Sequence, residues 1–250
     1  MSKFTTWDGL ELNYTEWPGE GVPVVLQHGI VADTNANWMS VGIVAALRGA
    51  GHRVISLDAR GHGRSAKPHD PARYSWEGMA RDVSALYDHL ELDQVVQVGY
   101  SMGGVISLLV AGSDERVRRL VVGGIGCGVV DCGGIDWRAI KAEELVTAMQ
   151  GETADTVMPG RMFRILADAL GADREAIAAV ATGINAAPIE SLSGIKVPTL
   201  VLAGEADPFA AEPERLAEAL PDGRCVTVPG DHLTATANPA LHAALVEFLR

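Results

Sequence analysis

Basic residues are scarce in this chain. Twenty Lys and Arg stand against 32 Asp and Glu, a formal net charge of −12. Nucleic-acid binding depends on clustered cations, so a nucleic-acid partner is not expected. The acidic balance serves solubility. No uninterrupted apolar run approaches the roughly 18 residues of a membrane span. The start, MSKFTTWDG, lacks the basic-then-apolar order of a signal peptide. Only three cysteines occur, Cys127, Cys132 and Cys225. They are odd in number and lack ligand-like spacing, so they read as reduced thiols. Together these absences predict a cytoplasmic protein with no membrane partner. C-x-x-C, H-E-x-x-H and Walker patterns are missing too, so neither a metal nor a nucleotide cofactor is expected. Nothing in the sequence specifies an oligomeric state.

What is present is enough apolar material for one large domain: 48% of 250 residues, at ordinary charge content. KFTTW and LELNYTEW flank Asp8-Gly9, which predicts a hairpin. VPVVLQHG is a continuous apolar run, as expected of a strand buried on both faces. HRVISLDARGHGRS gives another buried strand and a Gly-rich turn, and QVVQVGYS, VRRLVVGGIG and PTLVLAGEAD read as further strands. Helical stretches alternate with them: about Trp38 to Gly51, SWEGMARDVSALYDHLEL with Ser75 as N-cap, and MGGVISLLVAG ending at Gly112. RCVTVPG and NPALHAALVEFLR supply a last strand and helix. This rhythm predicts a mostly parallel eight-stranded sheet with helices on both faces, an α/β fold. The rhythm breaks between about Cys127 and Lys196, where only helical segments are predicted: about Asp136 to Gln150, Gly160 to Leu170 and Asp173 to Asn185, with Asp136 and Asp173 as N-caps. The predicted organisation is a core of residues 1–126 and 197–250 with a helical cap over 127–196.

VGYSMGG places Ser101 between glycines at the end of one strand and the start of a helix. A serine hydroxyl is a weak nucleophile. It needs a base, a third group to orient that base, and N–H donors for the developing oxyanion. In parallel sheets such groups meet at the carboxyl ends of the strands. PTLVLAGEAD ends there in Asp207, RCVTVPG is followed by Asp231-His232, and VPVVLQHG ends in His28-Gly29. Ser101 is therefore the candidate nucleophile, His232 the base and Asp207 the orienting acid. Glu205 and Asp131 are competing acids, and Asp231 reads as a loop brace. The chain order Ser, Asp, His is one known arrangement of the triad.

With QHG (27–29), DARGHGRS (58–65), GYSMGG (99–104), GEADP (204–208) and PGDH (229–232), the chain resembles the α/β-hydrolase superfamily over nearly its whole length. It is most similar to the single-domain bacterial branch of esterases, lactonases, perhydrolases and C–C bond hydrolases. The resemblance implies an oxyanion hole made by the Ile30 and Met102 N–H groups, with both side chains against the substrate. It also implies bracing roles for His28, His62 and the Asp58 to Ser65 turn. A Ser nucleophile separates the chain from the dehalogenase and epoxide hydrolase branches, which carry Asp. Val157, Met158, Met162, Phe163, Ile165 and Leu166 of the cap are apolar, and Met158 and Met162 are candidate pocket residues. Arg138, Arg161 and Arg164 are candidate partners of a substrate carboxylate. The expected activity is cofactor-free hydrolysis of a small carboxylic ester through an acyl-enzyme. A C–C bond or enol-lactone hydrolase using the same triad, or a non-catalytic small-ligand receptor, are the alternatives.

Overall fold

A computed structural model describes residues 2–136, 138–151, 158–184 and 188–250. Eight strands form one sheet: β1 (Ser2–Thr5), β2 (Glu11–Trp17), β3 (Glu20–Gln27), β4 (His52–Leu57), β5 (Val95–Tyr100), β6 (Val117–Gly123), β7 (Thr199–Gly204) and β8 (Gly223–Val228). Their order is β1-β2-β4-β3-β5-β6-β7-β8. β2 runs antiparallel to β1 and β4, and the other pairs are parallel.

The apolar runs explain why the middle strands are central. Every residue of β5 and of β7 is buried, which requires cover on both faces. Successive residues serve opposite faces. Val25 packs in one apolar cluster, and its neighbours Val24 and Leu26 pack in the other. The first cluster takes in α2 (Trp76–His89) and α3 (Met102–Ser113); the second takes in α1 (Ile43–Gly49) and α9 (Pro239–Phe248). Ser75 caps α2 as expected, accepting the Gly78 N–H at 3.0 Å.

Two helices outside the 127–196 segment differ from expectation. The single helix expected over Trp38 to Gly51 is two pieces, a helical turn at Asn35–Met39 and then α1. Gly42 separates them at φ 93°, in the left-handed region that glycine tolerates. α3 also runs one residue past Gly112, to Ser113.

Between β6 and β7 the described residues hold helices and no strand: α4 (Cys127–Cys132), α5 (Ala142–Gln150), α6 (Gly160–Leu170) and α7 (Arg174–Gly183). α8 (Pro213–Ala219) follows β7. α4 was not expected from the sequence. Asp136 does not cap a helix. It accepts Nε and Nη2 of Arg138, each at 2.8 Å, and α5 begins six residues later, after Lys141. Asp173 does cap α7, accepting the Ala176 N–H at 3.1 Å.

Candidate active site

The site lies where β3, β5, β7 and β8 end. β5 runs through Tyr100 and passes at once into α3, so Ser101 must turn the chain within one residue. It does so at φ 55°, ψ −119°. A non-glycine residue at positive φ is costly unless its surroundings enforce it. The enforcement is visible. The Ser101 N–H donates to Gly123 O at 2.7 Å, and its carbonyl accepts the Gly104 N–H at 2.8 Å. The flanking glycines let α3 press against the sheet. A Cβ on Gly103 would stand 2.0 Å from Gln27 O, and one on Gly99 would stand 2.0 Å from Gly103 O. Although Ser101 occupies the N-cap position of α3, its hydroxyl makes no capping bond. A serine kept for a turn would use that bond. This one presents its hydroxyl to a cavity that His232 also lines.

His232 meets Asp207. Its Nδ1 lies 2.8 Å from Oδ2 and 3.0 Å from Oδ1 of Asp207. The Asp207 side chain is fully buried, and its Oδ1 also accepts the Phe209 N–H at 2.9 Å. A carboxylate at Nδ1 holds the tautomer whose Nε2 lone pair is free to accept a proton. The residue is held at two more points, one on the ring and one on the backbone. Phe209 meets it edge-on at 4.8 Å, and the Tyr100 hydroxyl donates to the His232 carbonyl at 2.8 Å. The competing acids are elsewhere. Asp131 is engaged by Arg215 at 2.7 Å and by Arg138 at 3.1 Å, and Glu205 is exposed. Asp231 accepts the Leu233 and Thr234 N–H groups, which folds the turn that carries His232.

The other motif histidines are buried. His28 Nε2 accepts the Ala59 N–H at 3.0 Å, which leaves Nδ1 to donate to Gly29 O at 2.8 Å. Burial pushes its pKa down. His62 is pushed down to about 3 by burial and by His28 beside it. Asp58 accepts the Thr34 and Arg64 N–H groups and Asn13 Nδ2, each at 3.0 Å. Burial opposes the ionised form of Asp58, but His28 and these donors outweigh it and hold the pKa low. These groups brace the loops around the site.

Met102 is the first residue of α3, so its N–H has no acceptor within the helix and points past the helix start, where the dipole favours negative charge. Ile30 follows Gly29, whose own N–H is taken by Asn37 Oδ1 at 2.8 Å. Asn37 was not singled out in the sequence: NANW carries no motif.

Two apolar compartments open beside Ser101, and both are lined by Ile30 and Phe163. One is small, about 30 Å³, walled by Ile125, Ile140, Leu145, Ile184 and Phe209. The other is about 230 Å³ and carries His232, Asn37, Val41, Leu166 and Leu233. The candidate pocket methionines are placed differently. The Met102 side chain is fully buried in the core, because Cβ of the first helical residue faces the sheet while its amide faces out. Met158 is 67% exposed, and Met162 packs partly buried against the core; none of the three lines either compartment. Phe163 and Leu166 reach the site instead, three residues apart on one face of α6. Val157 lies outside the described residues. No Arg or Lys lines either compartment among the described residues. Arg138 is tied to Asp136 and Asp131, Arg164 to Asp168 and the Ala148 carbonyl, and Arg161 is exposed. Among the described residues no cluster of His, Cys, Asp and Glu has the makings of a metal site, and no helix is long and apolar enough to cross a membrane.

Residues 22–137 match the family model described as alpha/beta hydrolase fold. A non-heme chloroperoxidase of Streptomyces lividans is 41% identical over 130 residues, which are 49% of this chain and 44% of that protein. The chain spans less than half the length of the curated relatives it matches. Among solved structures, the enol-lactonase from Burkholderia xenovorans LB400 is 27% identical with TM-score 0.81, covering 99% of each chain. A thermophilic esterase from Thermogutta terrifontis is 28% identical with TM-score 0.74, covering 100% of this chain and 97% of that one.

Proposed function

Since the chain belongs to the α/β-hydrolase superfamily, we propose that it is a serine hydrolase of small carboxylic esters working through Ser101, His232 and Asp207. The observation that carries this reading is the 2.8 Å contact between His232 and buried Asp207, beside a strained Ser101 that makes no capping bond. In this reading His232 takes the Ser101 proton as Oγ attacks the ester carbonyl. The oxyanion is held by the Ile30 and Met102 N–H groups. The protonated imidazole returns its proton to the leaving alkoxide, and water then hydrolyses the acyl-enzyme by the same steps. These groups need no cofactor for the sequence of steps. The helices between β6 and β7 act as a cap, since α5 and α6 bring Leu145, Phe163 and Leu166 over Ser101.

The likeness to an enol-lactonase favours a second reading, a lactone as substrate, because a lactone is a cyclic ester and the same steps open it. A lactone that carries a carboxylate is disfavoured, for neither compartment offers it a cation among the described residues. The test is turnover of p-nitrophenyl acetate and butyrate, with fluorophosphonate labelling, by wild type and Ser101→Ala. Wild type is expected to turn over and to label, and the variant to do neither. A Ser101→Ala protein with full activity ends the proposal.

A further inference from the structure

We propose that the two compartments divide the substrate: the small one takes the acyl group and the large one takes the leaving group, so that the protein selects short acyl chains and tolerates bulky alcohols. This rests on the serine-hydrolase reading.

The assignment follows from where the proton must go. The leaving oxygen takes its proton from His232, so it must depart beside that ring. His232 lines the large compartment and is not part of the small one. Ser101, Ile30 and Phe163 belong to both, so the scissile carbonyl sits at the junction with its two substituents pointing apart. The reverse assignment would put the leaving group in the more enclosed space, away from its acid and without an exit. It would also leave the acyl chain in the path that water needs for the second half of the reaction.

Size then sets specificity. A void of about 30 Å³ has room for about two water-sized groups, the scale of an acetyl or propionyl chain. Its walls resist enlargement, since Ile140, Leu145, Ile184 and Ile125 are each no more than 5% exposed and belong to the main core. The large compartment has about 230 Å³, and its rim is soft: Leu233 is 42% exposed, and Val41 and Leu166 are half-buried. A longer alcohol can therefore extend over apolar surface toward solvent, whereas a longer acyl chain meets a packed wall.

The test is a two-way substrate series. With p-nitrophenol as the constant leaving group, kcat/KM should fall at least tenfold from acetate and propionate to hexanoate. With acetate as the constant acyl group, butyl to octyl alcohols, which share one leaving-group basicity, should differ by less than about threefold. Leu145→Ala should raise hexanoate relative to acetate by tenfold or more and leave the alcohol series unchanged. Val41→Trp should do the opposite, cutting octyl acetate and leaving the acyl profile alone. Ile140→Ala serves if Leu145→Ala does not fold, and fluorophosphonate labelling reports an intact site in each variant. A flat acyl profile with active wild type, or a Leu145→Ala shift that appears in the alcohol series, overturns the division while leaving the hydrolase reading intact. No turnover and no labelling by wild type on any ester overturns both.

Discussion

The side-chain carbonyl of Asn37 accepts the Gly29 N–H at 2.8 Å. Asn37 is itself buried and lies on the wall of the larger compartment beside Ser101. The bond uses up the Gly29 donor and fixes the His28–Gly29 peptide, one peptide ahead of the one that carries the Ile30 N–H. A Cβ on Gly29 would stand 3.2 Å from Ser101 Cβ, so this peptide sits directly against the nucleophile. If the Ile30 N–H holds the oxyanion, Asn37 helps to aim it from the preceding peptide, while His28 Nδ1 holds the Gly29 carbonyl of the peptide that carries that N–H. Asn37→Ala is then expected to lower kcat for acetate esters about tenfold or more, short of the roughly 10²–10³ cost of deleting a donor outright, with little change in KM. A rise in KM at constant kcat would assign Asn37 to substrate binding instead.

The acid that serves His232 can be separated from its rivals by substitution. Asp207→Asn keeps the shape of the group but offers an amide that stabilises the wrong tautomer and no charge. Loss of kcat of about 10³–10⁴ is expected. Asp131→Asn and Glu205→Gln touch groups that lie away from the imidazole and should stay within about twofold of wild type. Steady-state kinetics on one activated ester decides all three. A large loss in Glu205→Gln with an active Asp207→Asn would reverse the assignment.

Much of this was legible because burial on both faces leaves a plain mark: the runs through Val24 to Gln27, Val95 to Tyr100 and Thr199 to Gly204 are strands as their composition predicts. Strand ends then placed Ser101, Asp207 and His232 on one edge. What failed was direction. Met102 stands next to the nucleophile in sequence, yet the start of α3 sends its side chain into the core. Met158, Met162, Phe163 and Leu166 are equally apolar on paper. Only the angle at which α6 packs decides that Phe163 and Leu166 face the site while Met162 does not, and Met158, in the turn before α6, is exposed. Asp136 has the composition of an N-cap and is instead held by Arg138 two residues on, a local ion pair that competes with capping.

Two glycines of α3 give a sharp contrast in stability. Gly103→Ala would put a methyl 2.0 Å from Gln27 O, a backbone atom that cannot move aside. A loss of roughly 3 kcal/mol or more, or failure to fold, is expected. Gly112→Ala would meet nothing closer than Ile195 Cγ1 at 3.8 Å. There the helical preference of alanine should add up to about 1 kcal/mol. Urea unfolding of the two variants beside wild type measures both, and equal stabilities would contradict the close approach of α3 to β3.

His69 joins the loop after β4 to the start of α7. Its Nε2 lies 3.0 Å from Asp173 Oδ2 and its Nδ1 lies 2.9 Å from Glu175 Oε2. The hydrogen bond to Asp173 raises its pKa above the ordinary 6.5, aided by the Asp173 and Glu175 charges against slight desolvation. A histidine whose pKa is raised by folding stabilises most when fully protonated, at a pH below its unfolded value. The contribution disappears as pH climbs through the folded value. Protection of the α7 amides against hydrogen exchange should therefore weaken as pH rises past the ordinary 6.5 and through the raised folded value, beyond the intrinsic rise in exchange rate. The effect is small because the pair is exposed. His69→Ala should abolish the pH dependence while leaving the Asp173 cap on Ala176 in place. Asp173→Ala would lose both and is the less clean variant. Identical pH dependence in wild type and His69→Ala would show that this contact does not hold the start of α7 to the loop.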